Sequence, residues 1–184
     1  MERQNPNGPS ASAAPPMPKS KASKQDAVSF LIDNHRKVRS LFKVIDHMKS
    51  EPDGSDRMEL VRKVCTDLLV HMAVEESIFY PALNDHLHHD GIIDHAVTDH
   101  ENTRALIMQL VKIEIANTLF ESRVRALSAY VYEHFQEEEG EMFPEARKAD
   151  IDLAALGQEL KDATELMRAH YGRSVRDNSR HREM

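Results

Sequence analysis

The chain is organised around the segment His71-Met72-Ala73-Val74-Glu75-Glu76-Ser77-Ile78-Phe79-Tyr80-Pro81, which returns as His134-Phe135-Gln136-Glu137-Glu138-Glu139-Gly140-Glu141-Met142-Phe143-Pro144. The offset between the copies is constant, since 134 − 71, 138 − 75 and 144 − 81 all equal 63. In each copy a glutamate follows the histidine by four residues. On an α-helix these two positions lie on one face, about 6 Å apart along the axis. Each copy therefore presents one imidazole and one carboxylate in the same direction.

Two further histidines extend the repeat. His35 and His100 precede the two segments, and their separation of 100 − 35 = 65 is close to 63. The repeating unit is therefore interpreted as a helical hairpin that is used twice. Each unit contributes one histidine from its first helix and a histidine–glutamate pair from its second.

Apolar residues at helical spacing predict five helices. Asp56, with Glu59 three residues later, is the predicted N-cap of the second helix. The connections within each hairpin are short, which favours antiparallel neighbours. The predicted fold is all-α, an antiparallel up-down four-helix bundle with an additional C-terminal helix that packs on one end. The predicted helices span about 26–49, 56–83, 92–116, 119–147 and 153–170.

Composition divides the chain into three regions. Residues 1–25 are rich in Pro, Ser and Ala and are predicted to be a disordered tail, with an organelle transit peptide as the alternative. Residues 26–170 form the predicted bundle with its C-terminal helix, and residues 171–184 form a polar, Arg-rich tail. One cysteine, Cys65, a net charge of −7 and the lack of a long apolar run predict a cytoplasmic protein that binds neither nucleic acid nor membrane. We expect the Cys65 thiol to be buried and inert.

The repeated histidines and glutamates predict a metal site. All four histidines interrupt apolar stripes, and we expect no Lys or Arg on those stripes. Burying two carboxylates and four imidazoles together would cost several kcal/mol per unpaired charge unless a cation lay between them. The candidate metal ligands are His35, His71, Glu75, His100, His134 and Glu138.

The donor types limit the choice of metal. Six nitrogen and oxygen donors exceed the four of a tetrahedral zinc site, and the absence of thiolates argues against iron–sulfur chemistry. The ferritin-like Glu-x-x-His motif is absent, because none of the residues three before the histidines is Glu. The His-Glu-x-x-His signature of zinc proteases is absent as well. The set suits two redox-active first-row ions, with each glutamate able to bridge both.

The ordered pattern of these six residues over about 26–147 resembles the hemerythrin-like family, also called the HHE cation-binding family. The resemblance implies a four-helix bundle with a non-haem di-iron centre, oxo- or hydroxo-bridged, that meets O₂, NO or peroxide. By resemblance His35 and His71 would bind one iron, and His100 and His134 the other. Glu75 and Glu138 would bridge the two.

Two positions depart from the oxygen-carrying members of that family. They have a histidine four residues before His100, where this chain has Ala96. The adjacent His95 is rotated by about 100° around the helix, so we do not expect it to substitute. Their last carboxylate corresponds to Glu139, whereas the internal repeat favours Glu138. Both departures argue against simple oxygen storage.

Three functions remain open at this point. The first is binding of O₂, NO or peroxide for sensing, storage or oxidant defence. The second is a di-iron peroxidase or catalase-like enzyme. The third is iron donation for the repair of iron–sulfur centres. No protein partner is evident from the sequence.

Overall fold

The computed structural model describes residues 25–48, 55–87, 91–112 and 118–180, and of 172–180 only the backbone. All regular structure in these ranges is helical, which confirms the predicted all-α class. The described helices are α1 (Ala27–His47), α2 (Ser55–Val74), α3 (Tyr80–Leu83), α4 (Ile92–Leu110), α5 (Phe120–Glu137), α6 (Phe143–Ala146) and α7 (Leu153–Arg180). The two long helices of the first hairpin are α1 and α2, and those of the second are α4 and α5.

Each histidine–glutamate segment ends in a π-helical turn. The turn Glu75–Phe79 links α2 to α3, and Glu138–Met142 links α5 to α6. The N–H groups of Tyr80 and Phe143 bond the carbonyls of Glu75 and Glu138, five residues back. Such turns are frequent at functional sites. The extra residue rotates the following helix, so that Phe79 and Tyr80 are buried while Ile78 is only partly buried.

The bundle core has two apolar layers with the histidine–glutamate residues between them. One layer contains Val38, Leu68, Ile107 and Val131. The other layer contains residues such as Leu31, Val74, Ala96 and Met142. Each long helix therefore passes from apolar to polar and back to apolar as it crosses the middle of the bundle.

The C-terminal helix α7 packs along α1 and α2, not on one end of the bundle as predicted. Leu156 and Leu160 are buried and join the apolar layer of Leu31. Gly157 makes the close approach possible, because a Cβ there would lie 2.8 Å from the backbone nitrogen of Ala27. The helix continues to Arg180, beyond the predicted boundary at 170.

Helix boundaries differ from the predictions at several ends. Asp26 caps α1 as its side chain accepts a hydrogen bond from the Ser29 N–H at 2.8 Å. Helix α2 already begins at Ser55, so Asp56 lies in its first turn and the predicted cap is wrong. Helix α4 ends at Leu110, earlier than predicted.

None of the described helices carries an apolar stretch long enough to cross a membrane. The predicted tail 1–25 lies outside the described residues, except for residue 25.

Candidate metal centre

The structure brings all six predicted ligand residues together in the middle of the bundle. His35 comes from α1, His71 from α2, His100 from α4 and His134 from α5. The glutamates Glu75 and Glu138 each begin a π-helical turn. All six residues are buried, and none is more than 4% exposed.

The donor atoms form two overlapping groups that share Glu75. Each group has its ligand-type atoms within 4.8 Å of one another; the first contains His35, His71, Glu75 and Glu138, and the second contains Glu75, His100 and His134. Glu75 Oε2 lies 3.1 Å from His71 Nε2 and 3.5 Å from His100 Nε2.

Glu138 spans the two groups in the same way. Its Oε2 lies 3.4 Å from the Nε2 atoms of both His35 and His134. Each glutamate thus faces one histidine from each hairpin. This is the arrangement that a pair of bridging carboxylates requires.

The unpartnered atoms at the centre fit a metal. Several buried donors have no hydrogen-bond partner, among them His35 Nε2, both ring nitrogens of His71, both oxygens of Glu75 and Glu138 Oε2. Buried polar atoms without partners are rare in folded proteins, since each costs about 1–3 kcal/mol. The imidazole and carboxylate donors suit first-row transition metals. The centre therefore has the composition and the unsatisfied atoms of a metal site.

Burial shifts the pKa values of the central groups in the metal-free chain. Burial, and then the charge of His35, lowers the pKa of His71 well below its ordinary value, so His71 remains a neutral imidazole. Burial, and then the Glu138 carboxylate, raises the pKa of Glu75 well above its ordinary value. Glu75 therefore keeps its proton up to a higher pH than a free carboxyl group does. A metal ion that binds Glu75 must displace this proton.

Two of the four histidines are held from behind by a carboxylate and an arginine. His35 Nδ1 lies 2.8 Å from Glu139 Oε1, which also accepts a hydrogen bond from Arg39 at 2.8 Å. The other ring nitrogen of His35 is thereby directed toward the centre. Such partners of metal-binding histidines orient the ring and increase its basicity.

The second hairpin repeats this support. His100 Nδ1 lies 2.7 Å from Glu76 Oε1, and Arg104 donates to Glu76 Oε2 at 2.7 Å. Burial would raise the pKa of Glu76, but its hydrogen bonds to His100 and Arg104 outweigh that effect and lower the pKa to about 2. Each supporting carboxylate comes from the opposite hairpin, so the two units brace one another.

These contacts correct the expectation that the histidine stripes carry no Lys or Arg, and they bear on the choice between Glu138 and Glu139. Arg39 and Arg104 lie four residues after His35 and His100, so the stripes do carry arginines. They pair with Glu139 and Glu76, not with the central glutamates. Between the alternatives Glu138 and Glu139, it is Glu138 that reaches the centre.

Cys65 is fully buried, and burial raises the pKa of its thiol to about 12, as expected for an inert cysteine.

Tyr80 belongs to the site but was not predicted from the sequence. Its hydroxyl donates to Glu138 Oε1 at 2.8 Å and lies 3.2 Å from His100 Nε2. Burial and the neighbouring carboxylate of Glu138 raise its pKa well above the ordinary 10.0, so the metal-free chain keeps this proton. The π-helical turn is what directs Tyr80 inward, and no simple helical pattern predicts it.

A cavity of about 180 Å³ adjoins the centre at Ala96. His134 and Glu138 border its inner part, and Ile92 and Met142 form apolar walls. The expectation that His95 does not replace the missing histidine agrees with the structure. Its side chain is 62% exposed and lies 3.2 Å from Glu137, outside the central groups.

The chain is a helical bundle around a buried centre of histidines and carboxylates. This arrangement is that of metal-binding helical-bundle proteins. The family described as Hemerythrin HHE cation binding domain matches residues 26–146, and again residues 92–176. The chain belongs to this family. The second match begins at α4, the start of the second hairpin, as expected from the internal repeat.

A solved structure has the same fold. The crystal structure of a Hemerythrin HHE cation binding domain-containing protein, the Rv2633c homolog from Mycobacterium kansasii, superposes with a TM-score of 0.71. The likeness covers 82% of this chain and 92% of that one, at 21% sequence identity. No curated protein sequence matches the chain.

Proposed function

We propose that this protein holds two iron ions and uses them to break down hydrogen peroxide in oxidant defence. His35 and His71 would bind one ion, and His100 and His134 the other. Glu75 and Glu138 would bridge them. The overall reaction converts two molecules of hydrogen peroxide into two of water and one of O₂, so it needs no further reductant.

The observation that carries the proposal is the difference between the two sides of the centre. On the His100–His134 side, Ala96 leaves a cavity and Tyr80 places a hydroxyl among the donors. On the His35 side, Phe135 stacks on the imidazole at 3.8 Å between ring centroids. Among the described residues, the cavity at Ala96 therefore gives peroxide room on the His100–His134 side, where a proton donor is already in place.

The chain's own groups would manage the protons. Two iron ions, when bound, would supply the redox chemistry, in which two electrons pass to one peroxide molecule and two return from a second. The Tyr80 hydroxyl, which donates to Glu138 Oε1 at 2.8 Å, would give a proton to the peroxide oxygen that leaves as water. The apolar residues Ile92 and Met142 border part of the cavity, and the exposed residues His95 and Glu141 border its outer part. Long storage of O₂ fits less well, since the centre adjoins this open cavity and a proton donor lies beside it.

Oxygen evolution from hydrogen peroxide tests the proposal. Iron-loaded protein should release one O₂ for every two peroxide molecules consumed, without an added reductant. Glu138→Ala should abolish the activity, whereas Glu133→Ala, an exposed glutamate on the same helix, should leave it unchanged. Peroxide consumption that depends on an added electron donor would instead indicate a peroxidase, and no consumption would contradict the proposal.

A further inference from the structure

Three side chains converge near the surface between α4 and α5, outside the buried centre. His95 Nε2 lies 3.2 Å from Glu137 Oε2 and 3.9 Å from Asp99 Oδ2. One donor atom of each residue lies within 4.8 Å of the other two. One imidazole and two carboxylates form a donor set that suits a divalent first-row ion.

Asp99 is the least exposed of the three, with 8% of its surface accessible. Its Oδ2 lies 3.7 Å from His134 Nδ1, so neither that contact nor the one to His95 is a hydrogen bond. Its Oδ1 accepts only a long bond of 3.4 Å from the Tyr130 hydroxyl. Within the described ranges neither Asp99 nor Glu137 forms an ion pair with a Lys or Arg. The basic side chains nearest to these two carboxylates are histidines, namely His95 for both and His134 for Asp99.

The first hairpin shows that bundle packing does not demand this group. The internal offsets of 65 and 63 relate His95, Asp99 and Glu137 to Phe30, Asn34 and Val74, in that order. The equivalent positions thus carry an aromatic, an amide and an aliphatic side chain. Only the hairpin with Ala96 has a titratable group there.

The same cavity that reaches the centre opens beside these residues. His95 and Glu137 line its outer part together with Glu141, and His134 and Glu138 line its inner part. Its volume of about 180 Å³ is several times that of a water molecule in the liquid, about 30 Å³. An ion could therefore pass from the outer residues to the centre while it keeps part of its hydration shell.

We propose that His95, Asp99 and Glu137 form an outer divalent-cation site from which metal ions pass through the cavity into the buried centre. The negative charge at the mouth concentrates cations, an effect that raises association rates by about tenfold or more. The passage of ions into the centre depends on the proposed di-iron function, whereas the binding of a cation at the outer site does not.

Titration with Co²⁺ tests the outer site by itself. In Glu138→Ala, whose centre should no longer hold metal, we expect one weakly bound Co²⁺ per chain with visible absorption. The additional substitution His95→Ala should remove this ion, while adding His47→Ala, an exposed histidine on α1, should not. Equal Co²⁺ binding with and without His95 would overturn the proposal.

Loading kinetics test the route. Metal-free parent, His95→Ala and Glu137→Gln would be mixed anaerobically with Fe²⁺, and the filling of the centre followed over time. Both substituted side chains are exposed enough for the variants to fold. We expect the same final metal content and filling about tenfold slower than in the parent. Filling at the parent's rate would overturn the route, whereas a parent that retains no iron would contradict the proposed function instead.

Discussion

The two sides of the centre, one with His35 and His71 and the other with His100 and His134, match in their candidate ligands but differ in the residues around them. The internal offsets pair Leu31 with Ala96, and Phe143 with Tyr80. On the first side Leu31 is fully buried, and Phe143 lies against His35 at 5.5 Å between ring centroids. On the second side the equivalent positions hold a methyl group beside a cavity and a phenol among the donors.

This difference separates two tasks. The repeated residues, namely four histidines, two central glutamates and two supporting glutamate–arginine pairs, are those that would hold and orient metal in the proposed function. The residues that differ would control access and protons. In the proposed function one half would retain an ion and the other would retain an ion and react, so substitutions that make the halves alike test the comparison.

The largest effect is expected from the two glutamates shared by both halves. Glu75→Ala and Glu138→Ala should each lose both metal ions, because each removal leaves two cations under-coordinated and their repulsion unscreened. Metal analysis after desalting measures this, with Glu133→Ala as the control. Retention of one ion in either variant would show that the halves bind independently.

Tyr80→Phe gives the His100–His134 side a phenylalanine, the residue that the His35–His71 side has at the equivalent position, Phe143. We expect both metals to remain and peroxide turnover to fall about a hundredfold, as is typical of a lost proton donor. Oxygen evolution at saturating peroxide provides the measurement, and Tyr132→Phe, an exposed tyrosine on α5, is the matched control. Unchanged turnover would remove Tyr80 from the reaction.

Ala96→Leu gives the second half the packing of the first, and Ala96→His adds the imidazole of the oxygen carriers. Each should fill part of the cavity and slow peroxide turnover about tenfold, with metal content unchanged. Stopped-flow mixing of the reduced proteins with oxygenated buffer should also show a longer-lived oxygen complex in Ala96→His. Equal lifetimes would mean that the position beside Ala96 is already filled.

The supporting carboxylates should give the smallest effect, and it should be the same in both halves. Glu76→Gln and Glu139→Gln each remove a charge behind one histidine, which typically weakens metal binding about tenfold. Competition with a chelator measures the affinity. A loss of all metal in Glu139→Gln alone would indicate that Glu139, not Glu138, is the bridging residue.

The sequence predicts the bundle and the convergence of six side chains because both follow from helical periodicity and the exact repeat. Ligation by these residues stays a prediction. Arg39 and Arg104 could have been found, since each lies four residues after a histidine. The supporting role of Glu76 and Glu139 and the inward position of Tyr80 could not, because they depend on contacts between hairpins and on the π-helical turns. The side-by-side packing of α7 depends on the close approach at Gly157, which local propensity does not encode.

The metal content of the centre tests the account most directly. Metal-free protein titrated anaerobically with Fe²⁺ and then desalted should retain two iron ions per chain, one for each histidine pair. Oxidation of that sample should produce near-ultraviolet charge-transfer bands. One tightly bound ion per chain, or a single zinc ion without a chromophore, would contradict the account.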